Sequence, residues 1–211
     1  MELKNKRIVF LGDSITEGCG TTGEDKTFHQ ILKRKFDLNL ACNCGIGGTR
    51  IAIQKNPTYD VIRHDLYFAL RAKVMPKDAD IVVVFGGTND SGHGDADMGE
   101  ATSLDNYTFN GALNNLIIQL KVDYPNAKII FLTPLHRIGE EACMNNTGYI
   151  LKDYTNAIIA AAKRHNIFLI DLFNEINLNP YDQTLVPDGL HPSDKGHEVL
   201  AEFIAEKLIK L

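Results

Sequence analysis

The stretch RIVFLGDSITEG, residues 7–18, decides the fold: four large apolar residues, Ile8-Val9-Phe10-Leu11, run straight into Gly12-Asp13-Ser14. A short apolar run bounded by a turn reads as a strand buried on both faces. Similar runs recur at Leu38-Asn39-Leu40-Ala41 and at residues 81–85, 129–132 and 167–170. Between them lie segments with helical spacing: Phe109, Leu113, Leu116, Ile117 and Leu120; Tyr154, Ile158, Ala161 and Ala162; and, after Ser193 as a candidate N-cap, Leu200, Phe203, Ile204, Leu208 and Leu211. Strand and helix alternate, and parallel neighbours need a long crossover that is normally a helix. The pattern therefore predicts an α/β protein with a five-stranded, mostly parallel sheet between two helical layers.

Composition narrows the class further. With 211 residues and 44% hydrophobic side chains, the chain can fill one core, so a single domain over residues 1–211 is expected. A net charge of −5 gives no basic footprint for nucleic acid. The apolar stretch 8–11 is too short for a signal-peptide core or a membrane span, which predicts a cytoplasmic protein. Cys19, Cys42, Cys44 and Cys143 lack zinc-knuckle spacing and are read as reduced thiols. Residues 86–105, GGTNDSGHGDADMGEATSLD, show no clear periodicity and read as a long loop after the third strand. Neither GIGGTR nor GHGDADMGE matches a phosphate loop, a dinucleotide fingerprint or a calcium loop, so no cofactor and no metal are expected.

Ligands of an open parallel sheet bind beyond the carboxyl ends of its strands. Four polar segments fall at or near that edge: GDS (12–14), NCGIGGTR (43–50), GGTND (86–90) and PDGLHPS (187–193). A serine hydroxyl becomes a useful nucleophile once a neighbouring base takes its proton, and histidine suits that task near neutrality. His191 is the candidate base for Ser14, and Asp188, three residues earlier, is placed to orient the imidazole. Backbone N–H groups near Ser14 and in GIGG, with the Asn89 carboxamide, are candidate donors for a developing oxyanion. Asp13 and Asp90 are read as braces of these turns. His29, His64 and His165 are read as surface or boundary residues of helical segments, and His197 as structural. His93 and His136, each a few residues past a strand end, are candidates for substrate contact.

GDSITEG, NCGIGGTR, GGTND and DGLHPS, in this order with matches spanning residues 12–191, resemble the blocks of the SGNH hydrolases, also called the GDSL esterase family. The first block reads GDSI here, with Ile15 in place of the leucine of the family label. The α/β-hydrolase elbow G-x-S-x-G is not matched, since Thr16 occupies its last position. The resemblance implies a flavodoxin-like three-layer α/β/α sandwich. It implies that Ser14 is the nucleophile, His191 the general base and then acid, and Asp188 its partner. It also implies an oxyanion hole of the Ser14 N–H, Gly48 and Asn89, with Gly47 the alternative to Gly48. The expected activity is hydrolysis of a small-molecule or carbohydrate ester, with a short acyl group on a polar alcohol. Lysophospholipid or thioester hydrolysis and a non-catalytic binding module are the alternatives; oligomeric state is not legible.

Overall fold

Alternate residues of the central strands serve two separate cores. In the computed structural model, which describes residues 2–211, strands β1 (Arg7–Gly12), β2 (Leu40–Gly45), β3 (Ile81–Phe85), β4 (Lys128–Leu132) and β5 (Phe168–Ile170) form one sheet in the order β2-β1-β3-β4-β5. All four pairings are parallel. The helices are α1 (Ser14–Glu17), α2 (Phe28–Phe36), α3 (Phe68–Ala72), α4 (Thr88–His93), α5 (Phe109–Asp123), α6 (Leu151–His165), α7 (Leu172–Glu175) and α8 (Asp194–Lys210). Ile8, Phe10, Ile81, Val83, Ile130 and Leu132 pack with α2 and α8 on one face of the sheet. Val9, Leu11, Val82, Val84, Ile129 and Phe131 pack with α3, α5 and α6 on the other. The three-layer α/β/α arrangement follows directly from this two-sided burial.

The helical stripes fall where the spacing puts them. Phe109, Leu113, Leu116, Ile117 and Leu120 of α5 are all fully buried, and each such side chain stabilises the fold by roughly 1.5–3 kcal/mol. Ser193 caps α8, its side-chain oxygen accepting from the Gly196 N–H. Two readings need correction at the sheet edges. The second strand runs from Leu40 to Gly45, later than the apolar residues 38–41, and is only partly covered. Phe168 of β5 is likewise exposed, so burial on both faces holds for β1, β3 and β4 alone. Residues 86–105 also contain a helix, α4, immediately after β3.

Register fixes where the site lies. Gly12 is level with Gly45 and Phe85, Phe85 with Leu132, and Leu132 with Ile170, so all five strands end along one line. Chain order reverses between β1 and β3, and this switch point is where the following loops diverge and leave a crevice. Among the described residues no helix is long and apolar enough to cross a membrane.

His29 is not a boundary residue: it is fully buried, with Nδ1 at 3.3 Å from Thr27 Oγ1 and Nε2 at 3.2 Å from the Thr16 carbonyl. His197, also fully buried, stacks on Phe28 and accepts from the Phe28 N–H through Nδ1. Burial lowers the pKa of both from 6.5 to about 4, as it does for His93, where Arg50 adds to the effect. Below pH 6.5 the unfolded chain takes up protons that these imidazoles refuse, so acid costs stability. Asp13 and Asp90, raised by burial from 3.8 to about 6, act oppositely: folded, they bind protons that the unfolded chain lacks between those values. Three histidines outweigh two aspartates. Thermal melts should therefore show stability falling from pH 6.5 towards pH 4, and less steeply in His197→Asn; equal slopes would contradict the assignment.

Candidate active site

Ser14 is raised at the carboxyl end of β1 by a turn with little freedom. At Gly12 an added Cβ would lie 2.0 Å from Thr16 Oγ1 and 2.9 Å from the Phe85 carbonyl oxygen, so the bend admits only glycine. Asp13 then caps α1, accepting from the Ile15 N–H at 3.0 Å, and Ser14 becomes the first residue of that helix. First-turn N–H groups have no partner within the helix, and no hydrogen bond engages the Ser14 N–H among the described residues. Burial raises the Asp13 carboxyl to about 6 despite the Ile15 bond and the nearby Arg71 charge.

The segment before α8 supplies two further groups. His191 Nε2 lies 2.9 Å from Ser14 Oγ, and His191 Nδ1 lies 2.6 Å from Asp188 Oδ2. The other Asp188 oxygen accepts from the N–H groups of Leu190 at 2.9 Å and His191 at 2.7 Å. Burial works against the Asp188 charge, but these N–H groups and the imidazole outweigh it and hold its pKa below the ordinary value. With a carboxylate at Nδ1, the imidazole donates there and presents an unprotonated Nε2 to the serine hydroxyl. Such an imidazole can take the hydroxyl proton and later return it.

Asn89 enters from α4, after β3. Its Nδ2 donates to the Thr49 carbonyl at 3.0 Å, while its Oδ1 accepts from His93 Nε2 at 3.2 Å. His93 Nδ1 in turn accepts from Arg50 Nη1 at 3.3 Å, and Arg50 is held by Asp65 at 2.9 Å. Burial, then the Arg50 charge, lowers the His93 pKa to about 4, which keeps the ring neutral and this donor pattern fixed. The chain Asp65–Arg50–His93–Asn89 therefore sets the amide's orientation and leaves its second Nδ2 hydrogen unused by Thr49. Asp90 clamps the neighbouring loop, accepting from the N–H groups of Ile51 and Ala52, each at 3.0 Å.

The two glycines after β2, Gly47 and Gly48, have different neighbours. The Gly47 N–H donates to Glu17 Oε2 at 2.7 Å, whereas no hydrogen bond engages the Gly48 N–H among the described residues. Gly48 has φ +75°, and a side chain there would strike the His64 ring at 2.8 Å. Ser14, Gly47, Gly48, Asn89, His93 and His191 all line one cavity of about 360 Å³. Glu17, Arg63, His64 and Arg137 complete much of its polar wall. His64 lies in a turn before α3 and not in a helix. His136 lies outside this cavity, with Nδ1 at 2.6 Å from Glu140 Oε1 and its ring against Phe173. His165 meets Asn114 at 2.9 Å far along α6. The four cysteines are free thiols, with Cys42 Sγ and Cys44 Sγ 3.7 Å apart.

Arg71 was not legible as part of this edge. It is buried in α3 and donates to four acceptors: Leu66 O at 3.1 Å, Cys44 O at 2.7 Å, and Gly12 O and Thr49 Oγ1 at 2.9 Å each. Nothing in its local sequence marks it, because Gly12, Cys44 and Thr49, three of its four partners, lie at or just past the ends of β1 and β2. The Asn89–His93 pair has a visible signal, the i,i+4 spacing of one helical face, but only once α4 is known to be a helix.

A parallel α/β/α sandwich that carries serine, imidazole and carboxylate in one hydrogen-bonded row at its switch point has the groups of acyl-transfer hydrolases. The GDSL-like lipase/acylhydrolase family model matches residues 10–199, and the chain belongs to that family of esterase- and lipase-like enzymes. It is 30% identical to a GDSL esterase/lipase of Arabidopsis thaliana, over 98% of this chain and 87% of that one. It is 28% identical to the human isoamyl acetate-hydrolyzing esterase 1 homolog, over 92% of this chain and 77% of that one. The crystal structure of a Lactobacillus plantarum protein has a TM-score of 0.83 at 30% identity, covering 98% of each chain.

Proposed function

We propose that the protein is a serine ester hydrolase that removes short acyl groups, acetyl foremost, from a polar alcohol through an acyl-enzyme. The 2.9 Å approach of His191 Nε2 to Ser14 Oγ, with Asp188 behind the ring, is the observation that carries this reading. Ser14 Oγ attacks the ester carbonyl carbon as its proton passes to His191 Nε2. The carbonyl oxygen, now negative, accepts from the N–H groups of Ser14 and Gly48 and from Asn89 Nδ2; fixed donors of this kind lower the barrier by about 3 kcal/mol each. The C–O bond to the alcohol breaks, and the alcohol leaves with the proton from His191. Water then attacks the acyl carbon, gives a proton to His191, and the acid departs as Ser14 Oγ recovers its hydrogen. Asp188 stays ionised throughout and stabilises the imidazolium.

Substrate size follows from the wall of the cavity. Glu17, Arg63, His64, His93 and Arg137 line it, and Leu190 is the one large aliphatic residue among its walls. A long acyl chain would have to bury methylenes against charged groups, at roughly 0.8 kcal/mol of lost transfer energy per CH₂. The acetate ester in the name of the human relative is in keeping with this reading. Hydrolysis of acetyl, butyryl and octanoyl nitrophenyl esters, with acetylated xylo-oligosaccharides and an acyl-CoA alongside, tests it. The expected order is acetyl above butyryl and far above octanoyl; a preference for octanoyl or CoA substrates would contradict it and favour lipid or thioester hydrolysis.

A further inference from the structure

We infer that Arg137 is a specificity residue that selects acetate esters whose alcohol half carries a carboxylate. The inference rests on the ester-hydrolase reading above and goes beyond it to the charge of the substrate. Arg137 lines the same cavity as Ser14, His93 and His191. Two arginines line that cavity, and the other is committed: Arg63 Nη2 holds both Glu17 oxygens, at 2.6 and 2.7 Å. Arg137 forms no ion pair among the described residues. The nearest candidate, Glu140, accepts instead from the Arg137 backbone N–H at 2.9 Å and meets His136 through its other oxygen.

The guanidinium is nevertheless held in place. Its Nη1 donates to Thr88 O at 3.3 Å and Thr88 Oγ1 at 3.2 Å; among the described residues, buried Nε has no acceptor and none engages Nη2. The next residue ties this loop to the catalytic segment, the Ile138 N–H donating to the Gly189 carbonyl at 2.9 Å. A positioned, incompletely satisfied cation on the wall of the cavity is a natural partner for a carboxylate, since charge-assisted bonds are about twice as strong as neutral ones. Burial lowers the Arg137 pKa, while Asp13, Asp188 and Glu140 act in the opposite direction. None of those three is free to neutralise it: Asp188 faces His191, Asp13 caps α1, and Glu140 faces His136. Arg137 also borders a second cavity of about 210 Å³, but Glu140 and Glu141 line that one and would repel an anion. The favourable side is the side of Ser14.

The test compares acetate release from O-acetylmandelate and from its neutral amide, O-acetylmandelamide, with 4-nitrophenyl acetate as a reference. The wild type should favour the carboxylate over the amide in kcat/KM by about tenfold or more, chiefly through KM. In Arg137→Gln that ratio should collapse to about one, and Arg137→Lys should keep part of it. Equal efficiency on both esters in the wild type, or a loss in Arg137→Gln that is the same for both, would overturn the inference and leave the ester-hydrolase reading intact. Failure to hydrolyse 4-nitrophenyl acetate as well would overturn both.

Discussion

Ser14→Ala should lower kcat for ester hydrolysis by about ten-thousand-fold or more while the protein melts within about 1 °C of the wild type. The rate effect follows from chemistry: without Oγ no acyl-enzyme forms, and only binding and the oxyanion donors remain to favour direct attack by water. The small stability effect follows from the contacts. The hydrogen bond engaging Ser14 Oγ goes to His191 Nε2, and that ring atom borders the cavity, where water can replace the hydroxyl. The turn itself is held by backbone and carboxylate bonds that the substitution leaves in place, Asp13 to the Ile15 N–H among them. Initial rates on 4-nitrophenyl acetate, with a melt of the same preparation, check both halves. A variant retaining more than about a hundredth of wild-type activity would contradict the assignment.

Arg71→Met should have the largest effect on the scaffold, lowering stability by roughly 3–5 kcal/mol and the melting temperature by on the order of 10 °C. Methionine fills similar space but donates to nothing, so Gly12 O would keep only the Ile46 N–H, and Cys44 O, Leu66 O and Thr49 Oγ1 would each lose their Arg71 donor. Each bond lost from a charged donor costs about 1.5–3 kcal/mol. Burial lowers the Arg71 pKa to about 10, against the pull of Asp13, so the guanidinium remains charged at neutral pH. Its loss would therefore also remove a cation that favours the ionised Asp13. Because Thr49 receives one of the Arg71 bonds and accepts from Asn89 through its carbonyl, activity should fall along with stability. Calorimetry and initial rates on the one variant test the pairing; a melt within about 2 °C of wild type would show that Arg71 does not tie these strand ends together.

What was readable in the chain divides along the range of the interactions involved. β1, β3 and β4 were legible because both faces are buried, so their residues are apolar without alternation. The apolar pattern puts β2 too early for the opposite reason: as an edge strand it carries the half-buried Asn43 and Cys44, and its last residues look like loop. α4 was hidden because Asn, Asp, Ser and Gly are poor helix formers, and it survives by packing Thr88 to Ser91 into the molecule. Ser14, Asp188 and His191 were visible through local signals, a strand cut off at glycine and a three-residue spacing. The groups that steady them were not. Arg71 reaches acceptors up to 59 residues away, and Arg50 meets His93 across 43. The local sequence shows His93 only as a residue just past a strand, and its function as a brace for Asn89 depends on that long-range contact.

Labelling with a fluorophosphonate followed by peptide mass spectrometry tests the central claim most directly, because only a serine activated by a neighbouring base reacts readily with the reagent. The account predicts a single adduct on the peptide containing Ser14, its formation strongly slowed in a His191→Asn variant that still folds. No adduct on Ser14 in active wild-type protein, or labelling that does not depend on His191, would contradict it.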